Sequence, residues 1–447
     1  MTAGIVPKWL TLGNGLTVAV IAPALVWSFL SLVLTLGLGH PSMSTVEVPY
    51  IELAIQVTLA GGVFLLMSRK DQKCWLIILL PLILWVIIRG LISGISPLWI
   101  FAISLLLLSP IISLLLAGHS ALGNLRALKW SFTIIVVGQL VTFPFNFLSV
   151  MMDDDASVYD RFSGTLLGKG GYFSSYILLA ATSFLLVSRA KLKVKLAAVV
   201  IMFTYAWFAE VKLIWFVAGA VVFGMLIMTT NRKNLLWKVP LAVGSLAIGA
   251  ILSILVPSSL GLHSGNLNFS VGAPSTFGNL TQDGSKVTVI QEVLNPWSDL
   301  WAENNETAIV GVGPAGGLSH MSRTADAQGL FVSQIRPDSE FRDSARLLAG
   351  SQQQDQSLAT QAETTILGIV SEVGYLGLIL FLISLVLVFR ILLKKFDRST
   401  VGIVLGFVIA FVPLFSLWEV PGFWIVLALG LAAYGQRLES IKPTNSA

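Results

Sequence analysis

Glu363 is the residue of this chain whose type and position best suit chemistry. It stands where a long polar stretch gives way to an apolar, helix-compatible run. A carboxylate at such a boundary can take the proton of an attacking hydroxyl as a general base. The same acid is also what a helix N-terminus favours, because the first turn carries partial positive charge. On the residues alone both readings stay open. Eleven residues make about three helical turns, so Glu363, Leu367, Val370, Gly374 and Gly377 are expected on one face. Glycines on that face would admit a second helix or a lipid chain. Glu372 falls on the opposite face, deeper in the run. Acids inside apolar spans are costly and usually paired, so Glu372 reads as a buried structural partner.

The basic residues form the second candidate group. Arg161, Lys212, Arg336, Arg342 and Arg346 have the chemistry to hold a phosphate-bearing ligand. Arginine matches phosphate with a two-pronged fork, and lysine serves as a point charge. Ion pairs with Asp160, Glu210, Asp338, Glu340 and Asp343 would account for the same residues equally well. Lys212 lies close to an apolar span and most needs a reason to be there. His320 could act as a second base or hydrogen-bond a ligand, although an ordinary loop histidine would look the same. Asp153, Asp154 and Asp155 lack the surrounding acceptors of a calcium loop. With one cysteine, Cys74, and four dispersed histidines at 40, 119, 263 and 320, no metal site or other cofactor is expected.

These residues must be positioned by helices that cross a membrane. Of the 447 residues, 55% are hydrophobic and only 11% charged, whereas a soluble domain carries about 25% charged residues. Mean hydropathy is +0.84. A cytosolic enzyme, a secreted domain and a disordered scaffold are thereby excluded. The apolar runs are far longer than the roughly 10-residue alternating strands of a membrane β-barrel. The expected class is an all-α polytopic membrane protein. Spans are predicted at 16–38, 50–67, 75–93, 97–117, 130–150, 171–188, 195–209, 211–229, 239–257, 363–389, 401–417 and 420–436. The pair 195–209 and 211–229 could instead be one bent helix. The first run is too long for the roughly 7–15-residue core of a signal peptide, so it is read as an uncleaved span. The 13 Trp are expected mostly as interfacial anchors.

Charge supplies an independent test. With the N-terminus cytoplasmic and every span crossing once, 19 of the 28 Lys and Arg lie on the cytoplasmic side, with only Asp71, Asp397 and Glu439 of the 23 acids. That asymmetry follows the positive-inside rule and predicts about twelve crossings with both termini cytoplasmic. The chain then divides into spans one to nine (1–257), a large loop on the opposite side (258–362) and spans ten to twelve (363–447). A connection of that length usually carries function. Within it, Val287, Ile290, Val293, Leu294, Trp297 and Trp301 recur at helical spacing, and Asp338 to Gly350 has helix punctuation at both ends. The loop is therefore expected to be partly helical.

Four short stretches resemble a known family, the bacterial O-antigen polymerase/ligase membrane glycosyltransferases. Val310-Gly311-Val312-Gly313-Pro314 resembles that family's G-V-G-P turn in a large periplasmic loop. Glu363-Thr364 followed by Glu372-Val373-Gly374-Tyr375-Leu376-Gly377 resembles its polar pair and E-x-G-x-x-G element. Arg161-Phe162-Ser163-Gly164-Thr165 resembles its R-x-x-G-T element, and Glu210-Val211-Lys212 stands where ligases have Ser-Arg and polymerases often a Lys. Ligases typically carry His-Asn where this chain has Glu363-Thr364, which favours the polymerase branch. An arginine found early in the family's loop corresponds, if to anything, to Lys286, and the two cations are not equivalent at a diphosphate.

The resemblance implies a GT-C-like fold in the bacterial inner membrane with the site facing the periplasm. It also implies transfer of a growing glycan from a polyprenyl diphosphate to a lipid-linked repeat unit. In that setting Glu363 would be the catalytic base, and Arg161, Glu210, Lys212, Lys286, His320, Arg336, Arg342 and Arg346 would line the diphosphate and glycan site. A diphosphate leaves readily, so no metal or cofactor is required, and attack opposite it inverts the anomeric carbon. Expected partners are polyprenyl-diphosphate-linked glycans, the bilayer and a chain-length regulator protein, with no nucleic acid. The alternatives are an O-antigen ligase or protein O-oligosaccharyltransferase, and a membrane transporter. The last is weakened by the lack of an internal repeat and by how few ionisable groups lie mid-span.

Overall fold

The computed structural model describes residues 12–38, 47–93, 97–120, 124–152, 172–209, 211, 213–255, 309–311, 313, 365–414 and 421–435. Among these residues the protein is all-helical, with twelve α-helices and no strand. They are α1 (Leu12–Leu38), α2 (Glu47–Leu66), α3 (Arg69–Ile92), α4 (Pro97–Ser120), α5 (Leu125–Met152), α6 (Tyr172–Val187), α7 (Leu192–Phe208), α8 (Ile214–Thr229), α9 (Leu235–Leu255), α10 (Thr365–Lys395), α11 (Arg398–Leu414) and α12 (Pro421–Tyr434). Each coincides with one predicted span. The doubtful pair is two helices: α7 ends at Phe208 and α8 begins at Ile214.

Among the described residues, four helical segments are long and apolar enough to cross a membrane: Arg69–Ile92, Leu125–Phe145, Leu235–Ser253 and Glu372–Lys395. At 1.5 Å per residue, the 24 residues of α3 reach roughly 36 Å, beyond the roughly 30 Å of a hydrocarbon core. The helix starts at Ser68, whose Oγ accepts from the Asp71 amide at 3.3 Å and donates to the Asp71 carboxylate at 2.8 Å. Its buried stripe is Trp75, Ile78, Leu82, Val86 and Gly90, at helical spacing. Its other faces expose Ile77, Leu84, Ile88, Leu91 and Ile92. A helix that is apolar all round, with one stripe packed on protein, presents the rest to a non-aqueous environment.

The short helix α12 is the hub. Every residue from Pro421 to Ala433 is buried, and the helix packs on α1, α2, α4, α5, α6 and α11. Trp424 is fully enclosed and Trp75 is buried too, so these two indoles are core residues rather than interfacial anchors. Around the hub, polar side chains stitch helices together. The Gln56 side chain of α2 donates to the Ser109 carbonyl (2.9 Å) and accepts from the Ser109 hydroxyl (2.6 Å) of α4. A buried amide so satisfied joins two apolar helices specifically.

On one flank α8 is sandwiched between α9 and α11. The contact needs glycine. A Cβ on Gly402 would lie 2.5 Å from Met225 Cα, and one on Gly249 would lie 2.7 Å from the Trp215 carbonyl oxygen. Without a dry-solvent hydrophobic drive between helices, this close backbone approach supplies the packing energy.

Candidate functional site: a broken helix and the turn seated on it

An interruption of regular helical backbone lies inside α10. Gly374 has φ 70° and ψ −177°, so two helical segments meet there at a break. That region of conformational space is essentially reserved for glycine. A break frees carbonyls from their helical donors, and within a membrane such groups must find partners in the protein. Here they do. The Glu372 carbonyl accepts from the Gly313 amide at 2.8 Å. The Val373 carbonyl accepts from Trp85 Nε1 of α3 at 2.7 Å.

The donor Gly313 belongs to the Gly311–Gly313 turn of the long connection. Gly311 (φ 75°) and Gly313 (φ 110°) both adopt left-handed backbone, which glycine alone adopts without penalty. The turn lies directly against the break. A Cβ on Gly311 would stand 2.5 Å from the Glu372 carbonyl carbon and 2.5 Å from the Gly374 nitrogen. A Cβ on Gly374 would stand 2.6 Å from the Gly311 nitrogen and overlap the Ile309 carbonyl oxygen. Backbone meets backbone, with no room for a side chain on either partner. The Gly311 carbonyl in turn accepts from Arg89 Nη2 of α3. Arg89 is half-buried, and its Nε is enclosed with no hydrogen-bond partner among the described residues.

This geometry changes the expected face of α10. Because the helix breaks at Gly374, Val370 before the break does not continue onto one helical face with Gly377 after it. The glycines are not open to a lipid chain: Gly374 is covered by the Ile309–Gly311 backbone, and a Cβ on Gly377 would meet the Val373 and Trp85 side chains. Glu372 is buried at 6% exposure, as a structural acid would be, and its backbone carbonyl anchors the turn.

Thr365 is buried at the start of α10, two residues after Glu363. Glu363 itself lies outside the described residues, as do Arg161, Glu210, Lys212, Lys286, His320, Arg336, Arg342 and Arg346, the aspartates 153–155 and the helical stretches expected within 258–362. Two of the four resembling stretches are described in large part, the glycine turn and the Glu372–Gly377 element, and they are brought into contact. At the opposite end of α3 and α10, His119 Nδ1 lies 3.4 Å from Lys395 Nζ and its ring 5.9 Å from that of Trp75.

The sequence reading gives no role to Arg89 or Trp85. The available signal was an arginine within the apolar run 75–93, since a cation inside a span marks a polar partner.

The fold and this junction define a protein that is all-helical among its described residues, with helices fit to cross a membrane, a buried central helix and a broken helix that receives a loop turn. No protein-family model matches the chain, and no curated protein matches it in sequence.

Proposed function

We propose that this protein is a polysaccharide polymerase of the bacterial inner membrane. It transfers a growing glycan from a polyprenyl diphosphate carrier to a lipid-linked repeat unit. Glu363 takes the proton of the acceptor hydroxyl as the new bond to the anomeric carbon forms. The bond from that carbon to the diphosphate breaks, and the lipid diphosphate leaves with its electron pair. Arg161, Lys212 and the set Arg336, Arg342 and Arg346 hold the departing charge, with Lys286, Glu210 and His320 around the glycan. Attack from the side opposite the leaving group inverts the anomeric centre.

One observation carries the reading. The two stretches Gly311–Gly313 and Glu372–Gly374, about sixty residues apart, were singled out by resemblance to one family and sit backbone to backbone. A transporter reading could draw on the broken helix, since such breaks often expose carbonyls to ions. At Gly374, however, the Glu372 and Val373 carbonyls are taken by the Gly313 amide and Trp85, which favours an architectural role for this break.

The test is reconstitution. Purified protein in liposomes, given a synthetic polyprenyl-diphosphate-linked repeat, should yield a ladder of longer lipid-linked chains. Transfer only to a lipid-core or protein acceptor would replace the polymerase by a ligase, and no transfer with any acceptor would sink the enzyme reading.

In this reading the protein crosses the membrane twelve times, with both termini cytoplasmic and 258–362 periplasmic. The charge asymmetry motivates the arrangement. Single cysteines at 155 and 320, in a protein with Cys74 replaced, should react with an impermeant thiol reagent added outside whole cells, and one at 192 should not. Equal labelling at all three would refute the arrangement.

A further inference from the structure

Two side chains of α3 hold the junction closed. Trp85 and Arg89 are four residues apart and so share a helix face. Neither of their hydrogen bonds builds α3. Trp85 Nε1 serves the Val373 carbonyl, the last before the break, and Arg89 Nη2 serves the Gly311 carbonyl of the turn. One helix thus grips both halves of a contact that joins two distant segments. Arg89 is costly to place in an apolar helix, and Val86 and Gly90 beside it are buried. Its charge also suits the place, since the segment of α10 that ends at Val373 presents the negative end of its dipole there.

We propose that Arg89 is a positioning residue: it seats the Gly311–Gly313 turn on the break in α10 and so anchors the 258–362 segment to the helix that follows Glu363. The seating stands on the geometry alone. Its consequence for transfer rests on the polymerase reading, in which basic residues of 258–362 bind the donor diphosphate. Without Arg89 the buried Gly311 carbonyl loses its donor among the described residues, so local opening of the turn should become about tenfold or more frequent. Arg89→Lys keeps one donor and the charge, and should recover part of the effect.

The experiment uses the full chain in nanodiscs. Hydrogen exchange followed by mass spectrometry reads the 309–313 segment, and steady-state transfer with the synthetic lipid-linked repeat reads KM and kcat. In Arg89→Ala, exchange at 309–313 should accelerate about tenfold while α8 and α9, packed on each other, keep their protection. Donor KM should rise about tenfold, with partial return in Arg89→Lys. A mere loss of folded protein would instead lower apparent kcat at constant KM. Unchanged exchange at 309–313 in folded Arg89→Ala overturns the seating. Faster exchange with unchanged KM overturns the positioning role. If the unaltered protein transfers nothing, the polymerase reading fails, and exchange at 309–313 still decides the seating.

Discussion

Glu363→Gln should slow glycan transfer by about 10²–10⁴-fold, the usual contribution of a general base. The substitution keeps the size and shape of the side chain and replaces the basic carboxylate with a neutral amide too weakly basic to take the proton. Binding of the lipid-linked donor should stay nearly intact, because the diphosphate is assigned to the cations. Lys212→Ala and Arg342→Ala should show the reverse pattern, with weaker binding and a smaller loss of turnover. The motive is position: Glu363 lies two residues before the buried start of α10 at Thr365, at the boundary where the polar connection meets an apolar helix. Rates for Glu363→Gln should be compared with donor binding measured separately in the same folded preparation. Near-normal polymerisation by that preparation would remove Glu363 from the base role and make His320 the next residue to test.

Gly374→Ala should unseat the turn from α10 altogether. At φ 70° and ψ −177° an alanine is strained by about 1–3 kcal/mol. Its Cβ would also overlap the Ile309 carbonyl oxygen and approach the Gly311 nitrogen to 2.6 Å. Both atoms belong to backbone, which cannot rotate away. Straightening the helix through residue 374 relieves the strain, and a straight helix reclaims the Glu372 and Val373 carbonyls from Gly313 and Trp85. Protection of the 309–313 amides from hydrogen exchange should then be lost, and the thermal midpoint should fall. Gly244→Ala is the matched control. It sits in α9 with nothing within 4 Å of the added methyl, so it should be neutral or slightly stabilising, as alanine is in helices. Retained protection at 309–313 in Gly374→Ala would show that the break does not depend on glycine.

Much of the fold was legible in the chain because a helix in an apolar setting satisfies its own backbone. Each apolar run near 20 residues contains all the donors and acceptors it needs, so the positions of α1 to α12 follow from local composition. The doubtful pair α7 and α8 resolves the same way: Glu210 and Lys212 interrupt the apolar run between them, and a polar interruption is a local signal. Less legible was which helix sits at the centre. The run 420–436 reads like any other span, yet α12 is enclosed on all sides with Trp424 at its core. Hydropathy reports that a side chain avoids water and does not distinguish a lipid neighbour from a protein one.

What the sequence by itself determined is therefore the list of helices and the motifs that carry the resemblance. What only the tertiary structure decided is how those motifs are used. Gly374 lies in the 31-residue α10, and helical spacing alone carries its face smoothly through residue 377. The break exists because Ile309 and Gly311 arrive from a remote part of the chain and take the space a helical Cβ would fill. Arg89 and Trp85 gain their roles in the same way, from carbonyls on segments far away in sequence. Spacing along one helix cannot encode a contact whose other half lies hundreds of residues downstream. The physical reason is that a left-handed backbone angle and a freed carbonyl are each unfavourable alone, and become stable only when the partner segment satisfies both at once.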